Sequence, residues 1–206
     1  LDRAGLVGED GATHHGVFDI AFLRSIPNMI VAAPRNEVEL RNLLFTAQEN
    51  TLGPFAIRYP RGRGTMVHWE QPFKTISIGK GELLKKGTDV AVLSLGTTEK
   101  TVKKVFTNLK NTERYAHYDL RFAKPLDTDL LHTIFKTYRS IVIIEEGSLA
   151  GGVGSAILEF ANENSYNVPV KRLGIPDRFI THGSIESLHS DTQISAEALQ
   201  NVLESL

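Results

Sequence analysis

A chain of 206 residues, 41% hydrophobic and 23% charged, can bury one large core or two modest ones. Its 23 basic and 24 acidic residues leave a formal net charge of -1, with no like-charge run suited to nucleic acid or a membrane surface. No apolar segment approaches the roughly 20 residues of a spanning helix, and the lack of cysteine excludes disulfides, thiolate metal sites and a cysteine nucleophile. The expected partners are small molecules and other subunits, and a reducing, cytoplasmic compartment fits the composition.

The opening LDRAGLVGED has no initiator methionine, basic leader or apolar leader, so the chain is expected to be a piece of a longer polypeptide. Residues 8–16, GEDGATHHG, gather Glu9, Asp10, His14 and His15 among glycines. Two readings fit this stretch. It is either a polar surface turn, in which Asp10 and Thr13 bond their own backbone, or a loop whose glycines let it approach a ligand closely.

DIAFLRSIPN then reads as a short helix stopped before Pro27, and MIVAAP as a buried strand ended by Pro34. In NEVELRNLLFTAQEN, Leu40, Leu43, Leu44 and Ala47 form one helical stripe, with Asn36 placed as the N-cap. GPFAIRYP is a strand. Residues 61–77 have no sustained period and the composition of a connecting segment. The boundary is placed there: a first block at 1–64, a linker at 65–77 and a second block at 78–206.

The second block repeats the rhythm. Strand DVAVLSLG precedes a helix over 98–110, with Val102, Val105, Phe106 and Leu109 on one face, and then strand AHYDLRF. RFAKPLD looks structural, with Asp127 capping a helix whose apolar face is Leu130, Leu131, Ile134 and Phe135. After strand SIVIIEEG comes a helix from about Gly152 to Asn162, then strand VPVKRLGIP. The last helix starts at Ser195, where Ile194 and Leu199 can form a hydrophobic staple. Strands separated by helices predict an α/β fold of mostly parallel sheets with helices on both faces, whose ligands sit at the carboxyl ends of strands.

EEGSLAGGVGS, residues 145–155, opens a helix where anions can bind, but its glycine spacing fits neither G-x-G-x-x-G nor a Walker loop. It reads as a tight strand-to-helix connection. FITHGS, residues 179–184, is either a surface turn or a subunit-contact loop. His117, His132, His182 and His189 lack metal-ligand spacing, and no metal site is proposed.

DRAGLVGEDGATHHGVFDIAFLRSIPNMIVAAP, followed by IRYPRG, closely resembles the 1-deoxy-D-xylulose-5-phosphate synthase family, thiamine-diphosphate enzymes of the transketolase superfamily. The resemblance spans essentially the whole chain. It implies the end of a pyrimidine-binding domain at 1–64 and a transketolase C-terminal domain at 78–206, within a homodimer. The implied reaction condenses pyruvate with glyceraldehyde 3-phosphate and releases carbon dioxide, on the way to isoprenoids, thiamine and pyridoxal. Thiamine diphosphate and Mg2+ would be held upstream of this chain, which leaves it the aldehyde-phosphate side of the site.

For that phosphate, Arg3 and Arg61 are the candidates, since arginine's fork binds phosphate oxygens at any working pH. Without the resemblance, solvated or carboxylate-paired arginines would fit as well. Arg58 and Arg63 are weaker options. His14, able to donate a proton near neutrality, and Asp10, able to accept from a substrate hydroxyl, are the catalytic candidates. His15 stands where the family often has glutamine and is not carried over with them. A transketolase acting on sugar phosphates and a non-catalytic assembly module are the two alternative readings.

Overall fold

The computed structural model describes every residue except Asn50, which ends an expected helix, and Thr65 and Val67, which lie in the expected linker. Two sheets organise the chain. In the smaller, β1 (Ile30–Ala32) pairs in parallel with β2 (Phe55–Ile57), preceded by α1 (Asp19–Arg24) and joined through α2 (Glu37–Glu49). Asn36 caps α2 as its position predicts, its side-chain oxygen accepting the Glu39 N–H at 2.9 Å. The apolar stripe of α2 is narrower than the spacing suggested. Leu43 is fully buried and Leu40 and Ala47 pack around it, but Leu44 is 48% exposed, because successive helical residues are rotated by about 100°.

The larger sheet has the order β3 (Glu82–Lys85), β5 (Tyr115–Asp119), β4 (Val90–Ser94), β7 (Ser140–Ser148), β8 (Val170–Ile175). All its pairs are parallel except the β3 edge, which runs antiparallel to β5. Ala91 and Leu93 of β4 and Ile141 and Ile143 of β7 face a core shared with α1, α4 (Thr128–Thr137) and α5 (Val153–Glu163). Their neighbours Val90, Val92, Val142 and Ile144 face a second core shared with α3 (Thr98–Asn108) and α7 (Ala196–Glu204). Burial on both faces is why these strands read as continuous apolar runs. Ser195 caps α7, with Ile194 and Leu199 buried together as a staple requires. Among the described residues no helix is long and apolar enough to cross a membrane.

Three features depart from the periodicity. The stretch AHYDLRF is two strands, not one: β5 ends at Asp119, Arg121 takes a φ of 57°, and β6 (Phe122–Lys124) leaves to pair antiparallel with β1. The second block thus supplies the third strand of the first block's sheet. Ion pairs hold this corner, with Arg121 reaching Glu39 at 3.0 Å and Glu82 at 2.6 Å, and Arg35 reaching Asp119 at 2.8 Å. Burial pushes the Asp119 carboxyl up to about 6 against the pull of Arg35.

Residues 69–76 do not hang between the blocks. They run along α2, where Arg41 donates to the Trp69 and Gln71 carbonyls and lies 4.4 Å over the Phe73 ring. The Lys74 and Ile76 N–H groups donate to Asn42 and Thr46 of the same helix. Finally, β3 and the short α6 (Ile185–Asp191), capped by Ser184, had no periodic signal long enough to announce them.

Candidate functional site

The carboxyl ends of β1, β2, β4 and β7 meet around a cavity of about 550 Å³, the place where sheets of this kind bind ligands. Arg35, Arg61 and Arg63 line it from the first block, and Glu146 and His189 from the second. The loop bearing Asp10 and His14 adjoins it. Its one-turn helix Gly8–Asp10 ends at Gly11, whose φ of 72° lets the chain reverse toward Thr13.

Asp10 and Arg61, 51 residues apart in sequence, form an ion pair of 2.8 Å at the cavity's rim. Arg61 remains 55% exposed. Asp10 accepts from Nη1 of the guanidinium, and among the described residues no other acceptor meets its remaining donors, which suit phosphate oxygens. Arg3 is exposed just before the loop, its backbone against Gly16, outside the residues that line the cavity, and it makes no ion pair among the described residues. His14 is exposed too, its Nδ1 2.9 Å from the Thr13 hydroxyl. Asp10 is therefore partnered by Arg61, while His14 keeps an accessible imidazole.

The adjacent histidines have different jobs. His15 is 8% exposed, and its Nδ1 accepts the Val7 N–H at 3.0 Å. The ring proton must then lie on Nε2, which donates to the Thr181 carbonyl at 3.3 Å. This histidine ties the loop down. Arg58 is structural as well: it is buried, its Nε donates to Asp19 at 2.7 Å, and its Nη2 donates to the Gly16 and Glu146 carbonyls.

The glycine-rich residues 145–155 do form a strand-to-helix connection. The anion position at the N-terminus of α5 is filled by the chain's own Glu145, whose carboxylate accepts the Val153 and Gly154 N–H groups at 2.8 Å each. Burial raises its pKa, with those two N–H groups pulling the other way. A diphosphate does not fit there. His117 is buried against Ser94, and burial pushes it down to about 4, so it is neutral at pH 7. Among the described residues no three His, Asp or Glu side chains converge as a metal site would require.

Sequence reasoning passed over Glu146 and His189, which meet at 3.0 Å. A signal was present: two consecutive acids end the otherwise apolar run SIVIIEEG, and buried acids need partners.

Two α/β units that share a core and turn their strand ends toward one cleft make up an architecture of the doubly wound kind, in which ligands bind at such a cleft. Residues 1–65 match the transketolase pyrimidine-binding domain and residues 79–199 the transketolase C-terminal domain, so the chain belongs to the transketolase family. It is 53% identical over 205 residues to a 1-deoxy-D-xylulose-5-phosphate synthase of Phocaeicola vulgatus and 44% identical over 211 residues to one of Shouchella clausii. These alignments cover 98% and 100% of the chain but only 32% and 33% of those relatives, so it spans about a third of their length. A split-gene transketolase, solved as an inactive β4 tetramer, superposes with a TM-score of 0.81 at 28% identity, covering 94% of this chain and 62% of that one. A transketolase of Campylobacter jejuni shares the fold, with a TM-score of 0.72 at 18% identity, covering 100% of this chain and 31% of that one.

Proposed function

We propose that the chain is the C-terminal part of a 1-deoxy-D-xylulose-5-phosphate synthase, a cytoplasmic homodimer that condenses pyruvate with glyceraldehyde 3-phosphate and releases carbon dioxide. The observation that carries this reading is the 53% identity to such a synthase across both blocks, against 28% to the split-gene transketolase. Thiamine diphosphate and Mg2+ belong, on this reading, to the part of the protein outside this chain. The decarboxylation chemistry resides with that cofactor, and this chain's residues act on the aldehyde.

Arg61 and Arg3 would take the phosphate of the aldehyde, Asp10 would accept from its hydroxyl, and His14 would give a proton to the oxygen that becomes an alkoxide as the carbon–carbon bond forms. In the full-length protein, Arg3→Ala and Arg61→Ala are expected to raise KM for glyceraldehyde 3-phosphate about ten- to a hundredfold, the loss of a charge-assisted contact of about 1.5 to 3 kcal/mol. KM for pyruvate should stay nearly constant, and discrimination against unphosphorylated glyceraldehyde should weaken. An equal loss with both aldehydes would make these arginines structural. The reaction itself is tested by product assay: deoxyxylulose phosphate from pyruvate supports the reading, and activity only with a ketose phosphate donor makes the protein a transketolase.

The inactive β4 tetramer of the split-gene relative favours a second reading for the isolated chain, that of an assembly module. The 206 residues alone are expected to self-associate, to bind no thiamine diphosphate and to make no product. Calorimetric titration giving micromolar cofactor binding to this piece would contradict that.

A further inference from the structure

The loop that carries Asp10 and His14 is held from outside its own block. Its neck closes where Gly5 and Gly16 exchange N–H···O bonds of 2.8 and 2.9 Å. The second block grips it through backbone contacts, the Gly183 N–H to the Gly8 carbonyl at 3.3 Å and the Ser148 N–H to the Val17 carbonyl at 2.7 Å. His15 of the loop donates to the Thr181 carbonyl at 3.3 Å, and Glu146 adds a charged side chain, its Oε1 accepting the Leu6 N–H at 2.9 Å.

Glu146 is built for that contact. Its side chain is 12% exposed, His189 of α6 donates to the same oxygen at 3.0 Å, and its main-chain carbonyl is fixed by Arg58. The loop lies flat on the carboxyl group because residue 5 is glycine. Its φ is 78°, and a Cβ there would stand 2.3 Å from Glu146 Cδ. The buried Leu6 amide needs an acceptor, and it is Glu146 of the other block that supplies it.

We propose that Glu146, oriented by His189, is a positioning residue, through which the C-terminal block sets the placement of the loop bearing Asp10 and His14. This rests on the reading of that loop as the aldehyde side of the active site. Glu146 acts through the Leu6 backbone, and a shift of about 1 Å at reacting groups can cost on the order of a hundredfold in rate.

The test uses the full-length protein with Glu146→Ala, Glu146→Gln, His189→Ala and His14→Ala. For each, kcat, both KM values, melting temperature and amide exchange across residues 5–16 are measured. Glu146→Ala should lower kcat about ten- to a hundredfold at temperatures well below the melt, with KM for pyruvate little changed, exchange in the loop faster and the melting temperature lower, since the buried Leu6 N–H loses its acceptor. Glu146→Gln, whose Oε1 still accepts the Leu6 N–H, should restore most of the loss. His189→Ala should show the same pattern more weakly, and it supplies the readout if Glu146→Ala does not fold. Unchanged exchange in the loop, a kcat loss fully explained by the fraction unfolded at the assay temperature, or failure of the glutamine to rescue would each overturn the proposal. Full activity in His14→Ala instead overturns the functional reading of the loop, a result seen in a different variant from those that report on Glu146.

Discussion

His14→Ala in the full-length protein is expected to lower kcat by about 10²- to 10⁴-fold, the range of a lost general acid, and to leave the melting temperature where it was. The thermal half follows from geometry, because the His14 side chain is exposed and its hydrogen bond among the described residues is to Thr13 next door. The kinetic half follows from the reaction proposed, in which the aldehyde oxygen gains a charge that a positioned donor must meet. His15→Ala should behave in the opposite way. It leaves the Val7 N–H buried without its acceptor, at a cost of about 1 to 3 kcal/mol, so stability falls and activity follows only as far as the loop loosens. A double-mutant cycle between Asp10 and Arg61 should be less than additive, since they share one ion pair. Near-normal single turnover in His14→Ala would return GEDGATHHG to an ordinary polar turn.

The elements that build the two cores of the larger sheet were the legible ones. Val102, Val105 and Leu109 show their face at helical spacing, and the strand residues 141–144 are apolar because both sides of that sheet are covered. What stayed hidden depends on partners far away in sequence. Nothing around Arg121 says that β6 changes sheets, since the corner is stabilised by Glu39 and Glu82, 82 and 39 residues distant. The two glycines and one proline of 61–77 read as a connecting segment, and nothing in them says that Arg41, Asn42 and Thr46 of α2 dock its second half.

The candidate site divides in the same way. Asp10, His14, Arg3 and Arg61 could be named from residue type and resemblance, but which of two neighbouring histidines is tied down depends on Thr181, and the partner of Asp10 lies 51 residues on. Glu145 and Glu146 show why adjacent identical residues are hard to apportion. Strand alternation sends one to the N-terminus of α5 and the other to the loop.

The two arginines of IRYPRG are the sharpest test of that division. Arg58→Ala is expected to destabilise the protein by about 3 to 5 kcal/mol, because it leaves the buried Asp19 carboxylate without its counter-charge. It also strips the Gly16 and Glu146 carbonyls of a shared donor, so the neck of the loop and its positioning acid lose a common anchor. Arg61→Ala, three residues on, breaks an exposed pair and should cost less than about 1 kcal/mol in stability while acting on substrate affinity. Urea titrations of both variants, beside Asp19→Ala and the Arg58/Asp19 double alanine variant, separate the cases. The double variant should lose less than the sum of the singles, since with both partners gone no charge remains buried alone. Equal stability losses for Arg58→Ala and Arg61→Ala would mean that burial does not divide these two arginines into an anchor for the loop and a ligand for the phosphate.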